Sequence, residues 1–134
     1  MSDTPRVMIA EDEFLVALVL EEDLRASGYT VLGPYSTVED ASYAASTEAM
    51  HAAVLDINMA GKMAFPVADA LRDRGIPYLF LSGYTASTLP EAHRGVPCLA
   101  KPYELSRLLR ELRRLVADAE GSIHISSQSD TGPA

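Results

Sequence analysis

Five polar residues follow short apolar runs. Glu11 and Asp12 come after Val7-Met8-Ile9-Ala10, Asp56 after Ala52-Ala53-Val54-Leu55, Ser82 after Tyr78-Leu79-Phe80-Leu81, and Lys101 after Val96 to Ala100. Carboxylates crowded at one point repel one another in a medium less polar than water, and a hard cation with oxygen ligands relieves the strain. Magnesium suits such a site, because it is held by one or two carboxylates and keeps waters that a phosphate oxygen can replace. In this reading Asp12 and Asp56 bind the ion directly, Glu11 acts through water, and the main-chain carbonyl of Asn58 is a further ligand. Asp56 is the candidate nucleophile, since carboxylates form covalent aspartyl-phosphates. A transferring phosphoryl group spreads negative charge over its oxygens, which the Lys101 ammonium and the Ser82 hydroxyl would stabilise.

Singly, each residue has a plainer reading. Asp56 alone is a strand end or helix cap, Lys101 is a solvated lysine before Pro102, and Ser82 a turn residue before Gly83. Glu13 reads as surface charge. The chemical reading therefore depends on the four apolar runs being neighbours in one sheet.

The pattern predicts that sheet. Arg6–Ala10 reads as a strand, Phe14–Ala26 as a helix stopped by Gly28, and Tyr29–Gly33 as a second strand closed by Gly33-Pro34. Ser36 or Thr37 caps a helix running to about Glu48. Ala52–Asp56 is the third strand, Pro66–Arg74 a helix closed by Gly75, Ile76–Leu81 the fourth strand and Val96–Ala100 the fifth. Residues 85–94 show poor apolar periodicity, so a fourth helix there is expected to be short or loosely held. In the last helix Leu105, Leu108, Leu109, Leu112, Leu115 and Val116 fall at helical spacing, with Arg107, Arg110 and Arg114 on the other side. Strands alternating with helices imply an α/β fold, a doubly wound five-stranded parallel sheet of flavodoxin-like order 2-1-3-4-5, whose ligands bind beyond the carboxyl ends of the strands. One domain over residues 1–119 and a flexible polar tail over 120–134 are expected.

Composition narrows the class. The chain has 134 residues, 48% hydrophobic and 22% charged, as a globular domain with a real core requires. Its net charge of −8 argues against nucleic-acid binding. Residues 1–60 hold eleven acids and two bases, whereas 61–134 hold eight acids and nine bases, so the negative excess lies where the acidic cluster is. The single cysteine, Cys98, excludes an internal disulfide. With no signal-peptide pattern and no apolar run near the ~20 residues of a membrane span, a cytoplasmic protein is expected.

These residues, at this spacing, resemble the receiver domain of two-component response regulators over about residues 6–117. The resemblance is carried by Val7-Met-Ile-Ala-Glu-Asp-Glu13, Asp56 with Asn58-Met59, Ser82, and Lys101-Pro102-Tyr103. Pro77-Tyr-Leu-Phe-Leu-Ser-Gly-Tyr84 looks like the subgroup, often single-domain, with a Phe-Ala-Thr-Gly-Tyr-like motif; here Leu81 and Ser82 replace its Ala and Thr. The resemblance implies phosphorylation at Asp56, switch roles for Ser82 and Lys101, and a signalling surface with Gly83, Tyr84 and Tyr103. Two departures stand out. Ala60-Gly61 replaces the usual Pro after Met59, which predicts a more flexible loop. Cys98 stands where an aromatic often rotates on activation, which predicts that the signal passes through Ser82-Gly83-Tyr84 into the weak fourth helix.

No histidine is placed to donate phosphate internally; His51, His93 and His124 read as surface histidines. A separate histidine kinase or phosphotransfer protein is the expected donor. Phe14, Leu15, Val16, Leu18, Val19 and Leu20 are apolar almost all round their helix, which fits either partner docking or a well-covered central helix. The faces of the last helix leave homodimerisation open. Output is expected through an unknown downstream protein, or the chain drains phosphoryl groups from a kinase. Two rivals remain: a phosphorylation-independent module with a vestigial pocket, and a small phosphatase with an aspartyl nucleophile on its first strand. The second requires two aspartates around one residue, which Glu11-Asp12-Glu13 does not supply.

Overall fold

The computed structural model describes residues 4–83 and 89–131, with side chains through residue 119; Tyr84 and the side chain of His124 therefore lie outside the described residues. Five parallel strands form one sheet: β1 (Arg6–Ala10), β2 (Thr30–Tyr35), β3 (Ala52–Asp56), β6 (Tyr78–Ser82) and β7 (Cys98–Ala100). Their order is β2-β1-β3-β6-β7, which is the expected 2-1-3-4-5 with β6 and β7 as fourth and fifth. The register Ile9↔Val54 and Ala10↔Leu55, then Leu55↔Phe80 and Asp56↔Leu81, brings the ends of β1, β3 and β6 side by side.

The inner strands are apolar without alternation because both faces of the sheet are covered. Met8, Leu55 and Phe80 point to a core closed by α2 (Val38–Thr47) and α3 (Phe65–Asp73), through residues such as Ala41, Ala45 and Leu71. Ile9, Val54 and Leu79 point to a second core closed by Leu20 and Leu24 of α1 (Phe14–Ala26) and by Leu108 and Leu112 of α4 (Leu105–Thr131). Thr37 caps α2, its hydroxyl accepting from the Asp40 N–H at 3.1 Å. At the edge, Gly33 has φ +91°, and a Cβ there would lie 2.7 Å from Tyr35 N and 3.0 Å from Ile9 O. Only glycine fits, and the register shift it permits lets Glu11 N–H donate to Tyr35 O at 2.9 Å, which fixes the chain leaving β1.

Three features differ from the sequence reading, while the described residues between β6 and β7 hold only a short turn, as expected. The loop after β3 is a hairpin, β4 (Asn58–Met59) against β5 (Lys62–Met63), turned by Ala60 at φ +55° and Gly61 at φ +87°. Two consecutive positive φ angles match the right-handed twist of the flanking strands, so the residues expected to loosen the loop close it tightly. Between β6 and β7 the described residues hold one 3-10 turn, Glu91–His93, and His93 is buried at 1% exposure, which corrects its reading as a surface histidine. Its ring lies among Phe65, Tyr78 and Phe80, stacked on the first and edge-on to the other two, with centroids 5.6, 5.7 and 5.9 Å away. Lastly, α4 continues through 120–131, which the composition assigned to a tail; extension from an anchored helix avoids the cost of nucleation. Among the described residues no helix is long and apolar enough to cross a membrane.

Candidate functional site

At the carboxyl ends of β1, β3, β6 and β7 lies a cleft of about 550 Å3 lined by Asp12, Glu13, Asp56, Asn58, Gly83 and Lys101, with Ala60 and Gly61 at its lip. Strand ends supply its chemistry because there the backbone leaves the sheet and side chains no longer have to pack between layers. Asp56 ends β3 at 5% exposure and Glu11 follows β1 at 2%. One carboxylate oxygen from each of Glu11, Asp12 and Asp56 lies within 4.8 Å of the others.

Backbone amides orient this cluster. Glu13 N–H donates to Glu11 Oε2 at 3.0 Å, and Asn58 N–H to Asp56 Oδ1 at 3.3 Å. Ala60 N–H donates to Asp12 Oδ2 at 2.9 Å, while Gly61 N–H donates to Asn58 Oδ1 at 2.9 Å. The β4–β5 hairpin thus ties the chain after Asp56 to the acid after β1.

Among the described residues one cation, Lys101, faces these acids. Lys101 Nζ donates to Glu11 Oε1 at 3.2 Å, Glu13 Oε1 at 3.2 Å and Asp56 Oδ2 at 3.3 Å. Burial, and then the charge of Glu11, push the Asp56 carboxyl up to about 7, although Lys101 pulls the other way. Burial opposes the charge of Lys101, but Asp56 and Glu11 outweigh it and push the ammonium's pKa up. Three carboxyl groups share this ammonium and Asp12 lies beside them, which leaves an excess of negative charge in a confined space.

That excess is the test for a divalent ion, and the donor set passes it. Adjacent oxygens in an octahedral magnesium shell stand about 3.0 Å apart, at metal distances of about 2.1 Å, so oxygens within 4.8 Å of one another are near enough to share one ion directly or through its waters. Glu11, Asp12 and Asp56 could hold the ion, beside Asn58 on the cleft wall.

The other expected residues fall as follows. Ser82 lies at the same rim, its carbonyl accepting from Lys101 N–H at 2.9 Å; its side chain is buried, and Gly83 forms the cleft wall beyond it. Tyr103 lies outside the cleft: its hydroxyl donates to Asp23 Oδ2 at 3.1 Å, and burial followed by that hydrogen bond pushes its pKa up. It lines an adjoining, mostly apolar groove of about 410 Å3 with Leu15, Val16, Val19 and Leu105, which meets the cleft at Lys101. The apolar surplus of α1 is exposed rather than covered, with Phe14 at 75% and Leu15 at 70%. Cys98 packs against the core that holds Phe80, where burial pushes its thiol pKa up.

Two participants escaped the sequence reading. Glu13 reaches Lys101, and the available signal was its place directly before α1, on the same loop as Glu11 and Asp12. The hairpin amides escaped as well, although a residue followed by glycine between Asn58-Met59 and Lys62-Met63 is a two-residue turn signal.

No family model matches the chain. It is 32% identical over 126 residues to the transcriptional regulatory protein TctD of Salmonella typhimurium, covering 89% of this chain and 55% of that protein. The chain thus spans about half the length of the curated relatives it matches. Among solved structures, SdrG from Sphingomonas melonis Fr1 is 33% identical, with 87% of this chain and 99% of that chain covered and a TM-score of 0.74. The signal receiver domain of a modulated diguanylate cyclase from Desulfovibrio desulfuricans G20 is 29% identical over 90% of this chain and 99% of that one, with a TM-score of 0.77. The receiver domain of the sensor histidine kinase PA1611 from Pseudomonas aeruginosa PAO1 is 23% identical over 86% and 99%, with a TM-score of 0.70. That likeness is one of fold; the protein is described with a magnesium ion coordinated in its active site cleft.

Proposed function

Because the chain belongs to the response-regulator receiver family, we propose that it accepts a phosphoryl group on Asp56 in a magnesium-dependent reaction and passes the signal on by protein contact, or drains phosphoryl groups from a kinase. The donor is a histidine kinase or phosphotransfer protein, in the cytoplasm. The observation that carries this reading is the meeting of Glu11, Asp12 and Asp56 within 4.8 Å, with the Lys101 ammonium 3.3 Å from Asp56. Isolated buried carboxylates of one sign are costly to keep, and a cleft open to solvent gives them a use.

Asp56 Oδ attacks the donor's phosphorus, the phosphorus–nitrogen bond of a phosphohistidine breaks, and its electron pair leaves on the imidazole, which takes up a proton. Lys101 is close enough to move from Asp56 to an equatorial oxygen of the arriving group. Ser82, at the end of β6, is the proposed hydroxyl donor to another oxygen. Glu11, Asp12, Asp56 and the Asn58 carbonyl would hold magnesium, which when bound neutralises phosphoryl charge. Its positive charge would also favour the ionised, nucleophilic form of Asp56. The Leu81-Ser82-Gly83 stretch supports membership of the subgroup with the Phe-Ala-Thr-Gly-Tyr-like motif. Gly83, Tyr84 and Tyr103 are its proposed signalling surface, and the exposed apolar side chains of α1 are open to a partner or a second copy.

Incubation with acetyl phosphate and magnesium, followed by intact mass, tests the reading. A base-labile phosphoryl adduct is expected on the wild type and not on Asp56→Asn, and chelation should remove it. An adduct of equal yield on Asp56→Asn, or none on the wild type, would sink it.

A further inference from the structure

Of the three carboxylates on Lys101, two belong to the candidate metal cluster and one does not. The side chains of Glu11 and Asp56 are 1% and 7% exposed, whereas that of Glu13 is 62% exposed. Glu13 is also the residue from which α1 starts, yet its side chain makes no capping bond to the amides of the first turn. It lies on Lys101 instead, at 3.2 Å. An acid at a helix start would ordinarily gain from those amides, so this contact is not a by-product of helix capping.

We propose that Glu13 is a positioning residue that holds the Lys101 ammonium on the α1 side of the cleft and competes with an arriving phosphoryl group for it. This rests on Asp56 being the phosphoryl acceptor. A phosphoryl group brings nearly two negative charges to the spot that Lys101 serves. Glu11 and Asp56 can turn to the metal, and an ammonium beside a divalent cation is repelled by it. Glu13 is then the remaining carboxylate partner of Lys101, and each phosphorylation requires that pair to part. A half-exposed ion pair is weak, so the competition is a modest brake that slows capture and loosens the phosphoryl oxygens once bound.

The test uses beryllofluoride, a phosphoryl mimic, titrated in saturating magnesium against the wild type, Glu13→Gln and Glu13→Asp, with magnesium affinity measured separately. Glu13→Gln removes the charge; Glu13→Asp keeps it on a stem one methylene shorter, which draws the carboxylate back from Lys101. Both variants should bind the mimic about threefold more tightly, the size of a partly exposed ion pair, with magnesium affinity within twofold of the wild type. In acetyl phosphate kinetics the gain should appear in donor half-saturation more than in maximal rate. Glu13→Asp behaving as the wild type would show that only net charge matters and overturn the proposal. So would an unchanged Glu13→Gln, or a magnesium affinity that falls in either variant. Wild type that binds no beryllofluoride would refute phosphoryl acceptance itself, and this inference with it.

Discussion

Two buried polar sites lie at opposite extremes of electrical balance. Beneath the 3-10 turn, His93 sits with Tyr78 Oη 2.7 Å from its Nδ1 and Asp69 Oδ1 3.0 Å from its Nε2. Phe65 stacks on the ring at 5.6 Å between centroids, and Phe80 meets it edge-on at 5.9 Å. Both ring nitrogens are paired and the ring is packed among three aromatic rings at 1% exposure, so nothing is left over to do chemistry. In the cleft, Asp56 is equally hidden but faces Glu11 and shares Lys101 with two other acids. Burial of a polar side chain therefore says little about function by itself; charge left unbalanced by the fold is the more telling sign.

Removing the polar group from each region should change stability with opposite sign. The largest effect is expected in the balanced region: His93→Ala should cost about 3 kcal/mol in urea unfolding, through a lost ring and the stranded Tyr78 hydroxyl. Magnesium affinity should stay within twofold of the wild type. A cost below about 1 kcal/mol would mean that the box is not a packing unit.

Next in size is the response of the cleft to a cation. Magnesium at a hundred times its dissociation constant should stabilise the protein by about 2.7 kcal/mol. Asp12→Asn should lose most of that gain, and His93→Ala should keep it. Equal magnesium stabilisation in Asp12→Asn would place the ion elsewhere.

Without metal, Asp56→Asn should make the protein more stable, by about 1–2 kcal/mol at pH 8. The Asp56 carboxyl is pushed from 3.8 up to about 7 in the folded state. Between those values the folded form holds more protons than the unfolded, so wild-type stability falls as pH rises from about 4 to 7 and levels off above. The variant's advantage should follow the same curve from near zero below pH 4. An advantage independent of pH would refute the electrostatic account.

The smallest effect concerns backbone geometry at the cleft's lip. Ala60→Gly relieves a positive φ but adds freedom to the unfolded chain, and a net gain of about 0.5 kcal/mol in thermal melts is expected. A loss would mean that the turn is not held in this conformation in solution.

The strands were legible because strands covered on both faces read as unbroken apolar runs of the right length, and their order followed as the usual arrangement of such a parallel sheet. Chemical side chains at their ends needed only that order to share a rim. The hairpin after β3 was less visible: it is two residues long on each side, and Ala60-Gly61 lacks the asparagine or aspartate usual before the glycine. His93 was misread because its neighbours in sequence are polar, while its packing partners Phe65, Tyr78 and Phe80 come from α3 and β6. Cys98 gave no local sign that it would face the same core as Phe80.

Sequence alone determined the strands and the parallel sheet, because periodicity and run length are local properties that hydrophobic burial converts into layers; with the usual order of such a sheet they place Glu11, Asp12, Asp56, Ser82 and Lys101 on one rim. Tertiary structure decided which acids share Lys101, that Glu13 is among them, that a tight hairpin secures Asp12, and that the apolar surplus of α1 faces outward. Those outcomes depend on distances of about 3 Å between residues far apart in the chain. Coulomb and hydrogen-bond energies change steeply over such distances, and a linear pattern does not encode them.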